Sequence, residues 1–242
     1  MKSKIIIFTD LDGTLLDKTK FHFRQAKKYI NELISKNIII IPISSKTEKE
    51  IRLFLREIKH NLPFVTENGS EIYNLNLLKK TFPRKITLAR NKLKIYEIFN
   101  KKIDPQILEN CEFVFKMTKR KQTKILGLKG KKLNASLHRK FTFPFIFRGS
   151  KFKKNKLLKD TNKMGLNILE GGRVMNLGDK IDKGYAVNKI LKLTKNKLKS
   201  KIHTIAVGDN SNDLSMLNIS EYPCIIGNKN LKIKNKNKSF SS

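Results

Sequence analysis

Residues 4–14 read KIIIFTDLDGT, and this stretch indicates both the kind of fold and the place of the chemistry. Lys4–Thr9 is a short β-branched apolar run, which predicts a strand. The run ends directly in Asp10 and Asp12, and Gly13 permits a tight turn after them. Ligands of open parallel sheets bind at the carboxyl ends of strands, so we expect both aspartates to lie in a functional site.

Strands and helices alternate on both sides of the middle of the chain. Apolar spacing predicts helices over 23–36, 47–59 and 183–193, and strands over 37–43 and 203–207. An Asn-Gly pair at 68–69 is a hairpin signal. Such alternation implies an α/β fold with a Rossmann-like open parallel sheet and helices on both faces.

The alternation stops over residues 82–171, which mix helical and strand patterns. We therefore expect a core made of 1–81 and 172–228, with an inserted α+β domain over 82–171. The last residues, 229–242, are rich in lysine, asparagine and serine, and they predict a frayed tail.

The chain is strongly basic, with 53 Lys and Arg against 20 Asp and Glu and a net charge of +33. The lysines are spread along the chain beside asparagine and isoleucine, whereas a nucleic-acid site usually concentrates its charge and interleaves aromatic residues. The pattern favours compositional drift with weak, salt-sensitive attraction of anions. We expect neither a specific nucleic-acid partner nor a membrane partner.

Cysteine use and hydropathy favour a soluble, cytoplasmic protein. Cys111 and Cys224 stand far apart without a CxxC pair, which predicts neither a disulfide framework nor a zinc site. The apolar run at the N-terminus is too short for a secretion signal, and no run approaches the roughly 20 residues that span a bilayer.

The paired acids predict a metal site. Carboxylates at spacing i, i+2 repel each other, so a cation that prefers oxygen, such as Mg²⁺, is needed to keep both ionised. A solvated loop with an Asx turn would be the better explanation of a lone Asp-x-Asp. The complete DxDGT directly after an apolar strand is much more specific.

Further polar residues follow other predicted strands or begin helices: Ser44, Lys183, and the acids of the segment GDNSND at 208–213, Asp209 and Asp213. Each alone has a simpler explanation, such as a helix cap or one lysine among many. Together and in this order they resemble the four motifs of the haloacid-dehalogenase-like phosphatase superfamily.

This resemblance implies a role for each catalytic residue. Asp10 would be the nucleophile that accepts the phosphoryl group, and Asp12 would act as general acid and then as general base. Ser44 and Lys183 would hold the phosphoryl oxygens and balance their charge.

The resemblance also implies a Mg²⁺ site. Its ligands would be the carboxylate of Asp10, the main-chain carbonyl of Asp12 and the carboxylate of Asp209, with Asp213 supporting them.

A finer resemblance covers nearly the whole chain up to Gly227. SSKT at 44–47, PFVTENG at 63–69 and GGR at 171–173, together with segments of the inserted domain, resemble the mannosyl-3-phosphoglycerate phosphatase family. The inserted domain would then be a cap of the C2B type. The implied substrate is a glycosyl-3-phosphoglycerate, hydrolysed to phosphate and a glycosylglycerate, which is a compatible solute.

Several residues are candidates for substrate contacts. Arg173 could clamp the substrate carboxylate in a bidentate manner, and Lys46 could be a second anion contact. Glu67 and Asn68 could exchange hydrogen bonds with sugar hydroxyls, although a hairpin turn also explains them. The remaining candidates are Ser45 and Asn212.

Two alternatives stay open. A broad-specificity sugar-phosphate phosphatase would share the catalytic motifs without a dedicated glycerate pocket. A basic nucleic-acid-binding protein on a degraded phosphatase scaffold is disfavoured, because every catalytic position is intact and no recognised nucleic-acid motif is present.

Overall fold

The computed structural model describes residues 3–16, 24–198, 200–227, 231–233 and 240–241. The chain forms two compact units. The first contains Met1–Ser45, Ile51–Leu88 and Asp182–Ser242, and the second contains Lys46–Glu50 and Ala89–Ile181. Among the described residues, no helix combines the length and the apolar character needed to cross a membrane.

Between Ser3 and Thr87 the elements are, in chain order, β1 (Ser3–Thr9), α1 (Arg24–Ser35), β2 (Ile39–Pro42), α2 (Glu48–Ile58), β3 (Phe64–Thr66), β4 (Glu71–Tyr73) and β5 (Lys85–Thr87). The second unit then supplies α3 (Lys92–Lys102), α4 (Pro105–Leu108), β6 (Cys111–Phe113), α5 (Lys119–Leu126), α6 (Gly130–Leu137), β7 (Phe143–Phe147), α7 (Lys151–Lys163), β8 (Leu166–Glu170) and β9 (Met175–Asp179). The chain returns to the first unit with α8 (Lys183–Leu198), β10 (Lys201–Gly208), α9 (Leu214–Ile219), β11 (Tyr222–Ile225) and β12 (Phe240–Ser241).

A five-stranded parallel sheet forms the centre of the first unit, in the order β12-β11-β10-β1-β2. Adjacent residues of β2 face opposite sides, as the pleat requires. Ile41 packs in the cluster that contains Val187 of α8, whereas Ile40 packs with Ile30 of α1 and Phe54 of α2. Helices therefore cover both faces, and the predicted α/β fold with an open parallel sheet is confirmed.

Beside this sheet lies a small antiparallel sheet, β3-β4-β5. β3 and β4 form a hairpin around a short 3-10 turn at Glu67–Gly69, as the Asn-Gly pair predicted. β5 pairs with β4, and Phe82 is buried in the core of the first unit. These contacts place 82–88 in the first unit rather than in the inserted domain.

The second unit has a four-stranded antiparallel sheet in the order β6-β7-β9-β8. Phe99 of α3 and Leu157 of α7 pack against Phe145 and Leu177 of this sheet, which gives the unit a core of its own. Because β9 pairs with β7 and β8, residues 172–181 belong here. The structure thus divides the chain at 89 and 181 instead of the predicted 82 and 171.

The described parts of the tail are packed. Ile233 is buried in the core of the first unit, and β12 adds a strand beside β11. At these positions the expectation of a frayed tail is corrected, because Ile233 packs in the core and β12 pairs with β11. The rest of the predicted tail lies outside the described residues.

Gly69 tests how the hairpin packs. Its φ is +109°, and an added Cβ would lie 2.2 Å from the main-chain oxygen of Asp182. We expect Gly69→Ala to lower the free energy of unfolding by about 2–4 kcal/mol, from backbone strain plus steric overlap. Urea unfolding followed by circular dichroism measures this loss.

Gly227→Ala is the matched control. Gly227 has φ +62°, and no heavy atom of the described residues lies within 4 Å of its added Cβ. Strain alone should cost about 1 kcal/mol. Equal losses in the two variants would contradict a role for the contact with Asp182.

Candidate active site

Asp10 is the first residue after β1, and neighbouring segments hold its backbone. The N–H of Asp10 donates to the carbonyl of Val207 in β10 at 2.9 Å, so β1 and β10 end together. The chain then folds back: the N–H of Gly13 donates to the carbonyl of Leu16 at 2.8 Å, with φ +84° at the glycine. This turn carries Asp12, which is half-buried, two residues beyond Asp10.

Ser44 follows β2, the strand next to β1. Its side chain is buried, and its N–H donates to the carbonyl of Val65 at 3.1 Å. The N–H of Ile43 donates to the carbonyl of Thr9 at 2.8 Å. Ser44 therefore lies at the same edge of the sheet as Asp10, as its place after a predicted strand indicated.

Lys183, the first residue of α8, joins two of the acids. Its side chain is fully buried. Nζ lies 2.6 Å from Oδ1 of Asp10 and 2.5 Å from Oδ1 of Asp213, and donates a hydrogen bond to each. A fully buried ammonium requires such partners, because its desolvation is otherwise very costly.

Asp213 is held from both sides. While Oδ1 accepts from Lys183, Oδ2 accepts from the backbone N–H of Asp209 at 3.1 Å and of Asn210 at 3.0 Å. An added Cβ on Gly208 would lie 2.5 Å from Cβ of Asp213, so only glycine allows this approach. Asp213 thus organises the loop after β10 that carries Asp209.

Three buried carboxylates converge. One oxygen from each of Asp10, Asp209 and Asp213 lies within 4.8 Å of the others. Carboxylate oxygens are the donors that Mg²⁺ and other hard cations prefer, so these residues fit a divalent ion. The side chain of Asp12 is not part of this cluster. The family resemblance implied only the main-chain carbonyl of Asp12 as a metal ligand.

The charges of the cluster explain its proton affinities. Burial raises the pKa of Asp10 to about 7 from 3.8; Lys183 opposes this shift and Asp213 adds to it. For Lys183, burial lowers the pKa, but attraction to Asp10 and Asp213 outweighs this effect and raises it above 10.5. Lys183 therefore stays charged, and a further cation would favour the ionised form of Asp10.

Four of the predicted substrate residues belong to the first unit, and one of them, Asn68, contacts Ser44. The N–H of Asn68 donates to the carbonyl of Ser44 at 2.9 Å, and Nδ2 of Asn212 donates to Oδ1 of Asn68 at 3.2 Å. Glu67 precedes Asn68 in the turn and is buried, and Ser45 is half-buried after Ser44. The first unit therefore gathers these residues near the strand ends.

The other two candidates belong to the second unit. Nζ of Lys46 lies 3.8 Å from Oε1 of Glu50. The guanidinium of Arg173 donates to the carbonyl of Leu126 and lies over Gly127.

The sequence did not reveal the backbone of the hairpin turn. Glu67, Asn68 and Gly69 have φ of +44°, +59° and +109°. The Asn-Gly pair is a signal for left-handed backbone at two of these positions, whereas nothing in the sequence marks Glu67.

Comparison with known proteins agrees with this geometry. A family model described as haloacid dehalogenase-like hydrolase matches residues 7–241. A Persephonella marina protein named glucosyl-3-phosphoglycerate/mannosyl-3-phosphoglycerate phosphatase is 30% identical over 242 residues, covering 96% of this chain and 88% of the relative. A Methanococcoides burtonii protein of the same name is 28% identical over 240 residues, covering 92% and 85%.

Solved structures show the same fold. A haloacid dehalogenase-like hydrolase from B. subtilis matches with a TM-score of 0.70 at 17% identity, covering 98% of this chain and 94% of that chain. One from Bacteroides thetaiotaomicron matches with a TM-score of 0.64 at 15% identity, covering 99% and 94%.

The chain therefore belongs to the haloacid dehalogenase-like hydrolase family. Within that family it is a phosphatase, a phosphoric monoester hydrolase, and the enzyme class predicted from the motifs is confirmed.

The carboxylate cluster predicts a measurable response to metal. We expect Mg²⁺ to raise the thermal unfolding midpoint, with a stabilisation of about 2.7 kcal/mol at a hundred times the dissociation constant. Asp209→Asn should lose most of this rise, because it removes a carboxylate of the cluster. Differential scanning fluorimetry with and without EDTA measures both.

Asp160→Asn controls for the loss of a carboxylate elsewhere. Asp160 is in α7 of the second unit, 3.8 Å from Nζ of Lys163. This variant should respond to Mg²⁺ as the parent does. An unchanged response in Asp209→Asn would show that the ion binds somewhere else.

Proposed function

We propose that the protein hydrolyses mannosyl-3-phosphoglycerate, or a closely related glycosyl-3-phosphoglycerate, to a glycosylglycerate and phosphate. The observation that carries the chemistry is the buried Lys183 between Asp10 and Asp213 at the sheet edge that also holds Ser44. The names and the whole-length match of the Persephonella and Methanococcoides relatives support the substrate.

In the first step the carboxylate of Asp10 attacks phosphorus, and the bond from phosphorus to the ester oxygen breaks. Asp12 donates a proton to the departing glycerate oxygen. An aspartyl phosphate on Asp10 results. Lys183 and Ser44 bind the phosphoryl oxygens, whose negative charge is spread in the transition state.

In the second step Asp12, now ionised, accepts a proton from water, whose oxygen attacks phosphorus. The acyl phosphate bond breaks, inorganic phosphate leaves and the Asp10 carboxylate is regenerated. Asp12 suits both roles because it is half-buried on the turn that follows Asp10, whereas Asp10 itself is buried.

The carboxylates of Asp10 and Asp209 and the main-chain carbonyl of Asp12 would hold Mg²⁺, with Asp213 fixing the loop. When bound, the ion would offset the negative charge of the phosphoryl group. Lys183 contributes a second positive charge, so that Asp10 can approach a phosphate dianion.

The substrate carries a carboxylate, a phosphate and a sugar, and each offers a distinct contact. We assign the carboxylate to Arg173, whose guanidinium can form two parallel hydrogen bonds, and a second anion contact to Lys46. Ser45, Glu67, Asn68 and Asn212 are the further substrate contacts that we propose.

Phosphate release with Mg²⁺ tests the proposal on mannosyl-3-phosphoglycerate, glucosyl-3-phosphoglycerate, mannose 6-phosphate and 3-phosphoglycerate. We expect kcat/KM to favour the two glycosyl-3-phosphoglycerates. Asp10→Asn should lower activity by at least about a thousandfold, because the nucleophile is lost.

Asp104→Asn, at the N-cap of α4 in the second unit, is the control and should keep full activity. Equal activity on all four esters would support the broad-specificity alternative instead. Undiminished activity in Asp10→Asn would refute the aspartyl-phosphate route.

Arg173→Ala separates the dedicated enzyme from the broad one. Loss of a bidentate contact to a carboxylate should lower kcat/KM for mannosyl-3-phosphoglycerate by about 10–100-fold. Activity on mannose 6-phosphate, which has no carboxylate, should change little. Steady-state kinetics on both esters gives the comparison.

Arg120→Ala removes an exposed arginine of α5 in the same unit and should leave both rates unchanged. If Arg173→Ala reduced the two activities by the same factor, the clamp on the glycerate carboxylate would be excluded.

A further inference from the structure

The hairpin turn between β3 and β4 holds an unusual backbone. Three consecutive residues have positive φ, and two of them, Glu67 and Asn68, are not glycine. Residues other than glycine rarely adopt positive φ, and such strain persists only where surrounding contacts impose it. Backbone strain of this kind is concentrated at functional sites, where a group needs an exact position.

The contacts that hold this turn come from the catalytic segments. The N–H of Asn68 donates to the carbonyl of Ser44 at 2.9 Å. Gly69 packs against the main-chain oxygen of Asp182, the residue before Lys183. Within the turn, Oγ of Ser70 donates to the carbonyl of Glu67 at 2.7 Å. The turn that carries Asn68 thus lies between the segment that follows β2 and the start of α8.

The carboxamide of Asn68 is only half used. The residue is 2% exposed, and its Oδ1 accepts from Nδ2 of Asn212. Its own Nδ2 is buried without a hydrogen-bond partner among the described residues. Buried polar groups nearly always have a partner, and one left without a partner at a strained backbone position calls for an acceptor from elsewhere.

We propose that Nδ2 of Asn68 donates a hydrogen bond to a non-bridging phosphoryl oxygen of the substrate. Its surroundings favour this partner over the sugar. Asn68 contacts Ser44, and the adjacent Gly69 contacts Asp182, which precedes Lys183. Ser44 and Lys183 are the two residues that we assign to the phosphoryl oxygens. A phosphoryl oxygen offers only lone pairs, which suits a donor. The carboxamide adds this bond without changing the charge of the cluster.

Besides its proposed contact with the substrate, Asn212 acts as a positioning residue for Asn68. Its hydrogen bond occupies Oδ1 of Asn68 and so leaves the amide nitrogen as the free end. The proposal replaces the sugar hydroxyls, which the sequence analysis gave as the partners of Asn68, by the phosphoryl group. It rests on the proposed phosphoryl site but is independent of which sugar the substrate carries.

The test compares Asn68→Ala and Asn68→Gly with Asn74→Ala. Glycine adopts the left-handed backbone without strain, so the second variant keeps the test valid if alanine distorts the turn. Asn74 is the matched control: it also has positive φ, at +61°, and its Nδ2 donates to Oδ1 of Asn61 at 3.1 Å and to the carbonyl of Leu62 at 3.2 Å. Urea unfolding first establishes that each variant is folded.

Two readouts follow, both with Mg²⁺. Calorimetric titration with inorganic phosphate reports the phosphoryl contact without any turnover. Kinetics on p-nitrophenyl phosphate and on mannosyl-3-phosphoglycerate reports whether the effect depends on the leaving group. Neither phosphate nor the nitrophenyl ester contains a sugar, so a wrong substrate assignment would not disturb these two measurements.

We expect both Asn68 variants to bind phosphate about 10–100-fold more weakly. They should lose kcat/KM by the same factor on both esters, and Asn74→Ala should match the parent. Unchanged phosphate binding with a loss confined to mannosyl-3-phosphoglycerate would instead assign Asn68 to the sugar. Unchanged values throughout would reduce the carboxamide to a structural role, and either result overturns the proposal.

Discussion

The buried ammonium of Lys183 is the group around which the first unit is built. It binds Asp10 after β1 and Asp213 in the loop after β10, while belonging itself to the start of α8. Removing one partner from a buried ion pair typically costs about 3–5 kcal/mol, because the remaining charge stays desolvated. Three elements far apart in sequence must therefore meet at one point for any of these charges to be tolerated.

Close approach of the backbone makes this meeting possible. Gly208 lets Asp213 lie against the end of β10, and Gly69 brings the hairpin turn against Asp182. At Gly184, an added Cβ would lie 2.7 Å from the carbonyl oxygen of Ser215, so α8 and α9 also touch through backbone. Aspartate and serine side chains are short, and their positions are set by the main chain that carries them. The glycines thus control the distances on which the charge cluster depends.

The residues of this cluster come together because each follows a strand or begins a helix. In a parallel sheet, strand ends converge on one edge, so spacing along the chain translates directly into proximity. No such rule covers β5 and β9, because both pair antiparallel in the smaller sheets, β5 with β4 and β9 with β7 and β8. The boundaries at 89 and 181 therefore had no local signal. Likewise, the residue type of Glu67 gives no signal for its left-handed backbone, and the turn that carries it contacts Ser44 and Asp182, which are distant in sequence.

The high positive charge cannot by itself explain how the enzyme selects a substrate. A chain of net charge +33 attracts every phosphate ester, and at its exposed surface this attraction is screened within about 8 Å at physiological ionic strength. Inside the site the situation is reversed, because three buried carboxylates lie together, only two of them are paired with Lys183, and they repel a dianion.

Long-range charge thus brings anions to the protein, and in the proposed site an ester overcomes the local repulsion only where its oxygens meet fixed donors and cations. The donors that we propose for these oxygens lie after a strand end, on the first turn of α8 and on a hairpin turn with a strained backbone, which fix their main-chain positions. Under the proposed mechanism, selectivity therefore depends on the buried geometry, and the lysines spread along the chain do not set it.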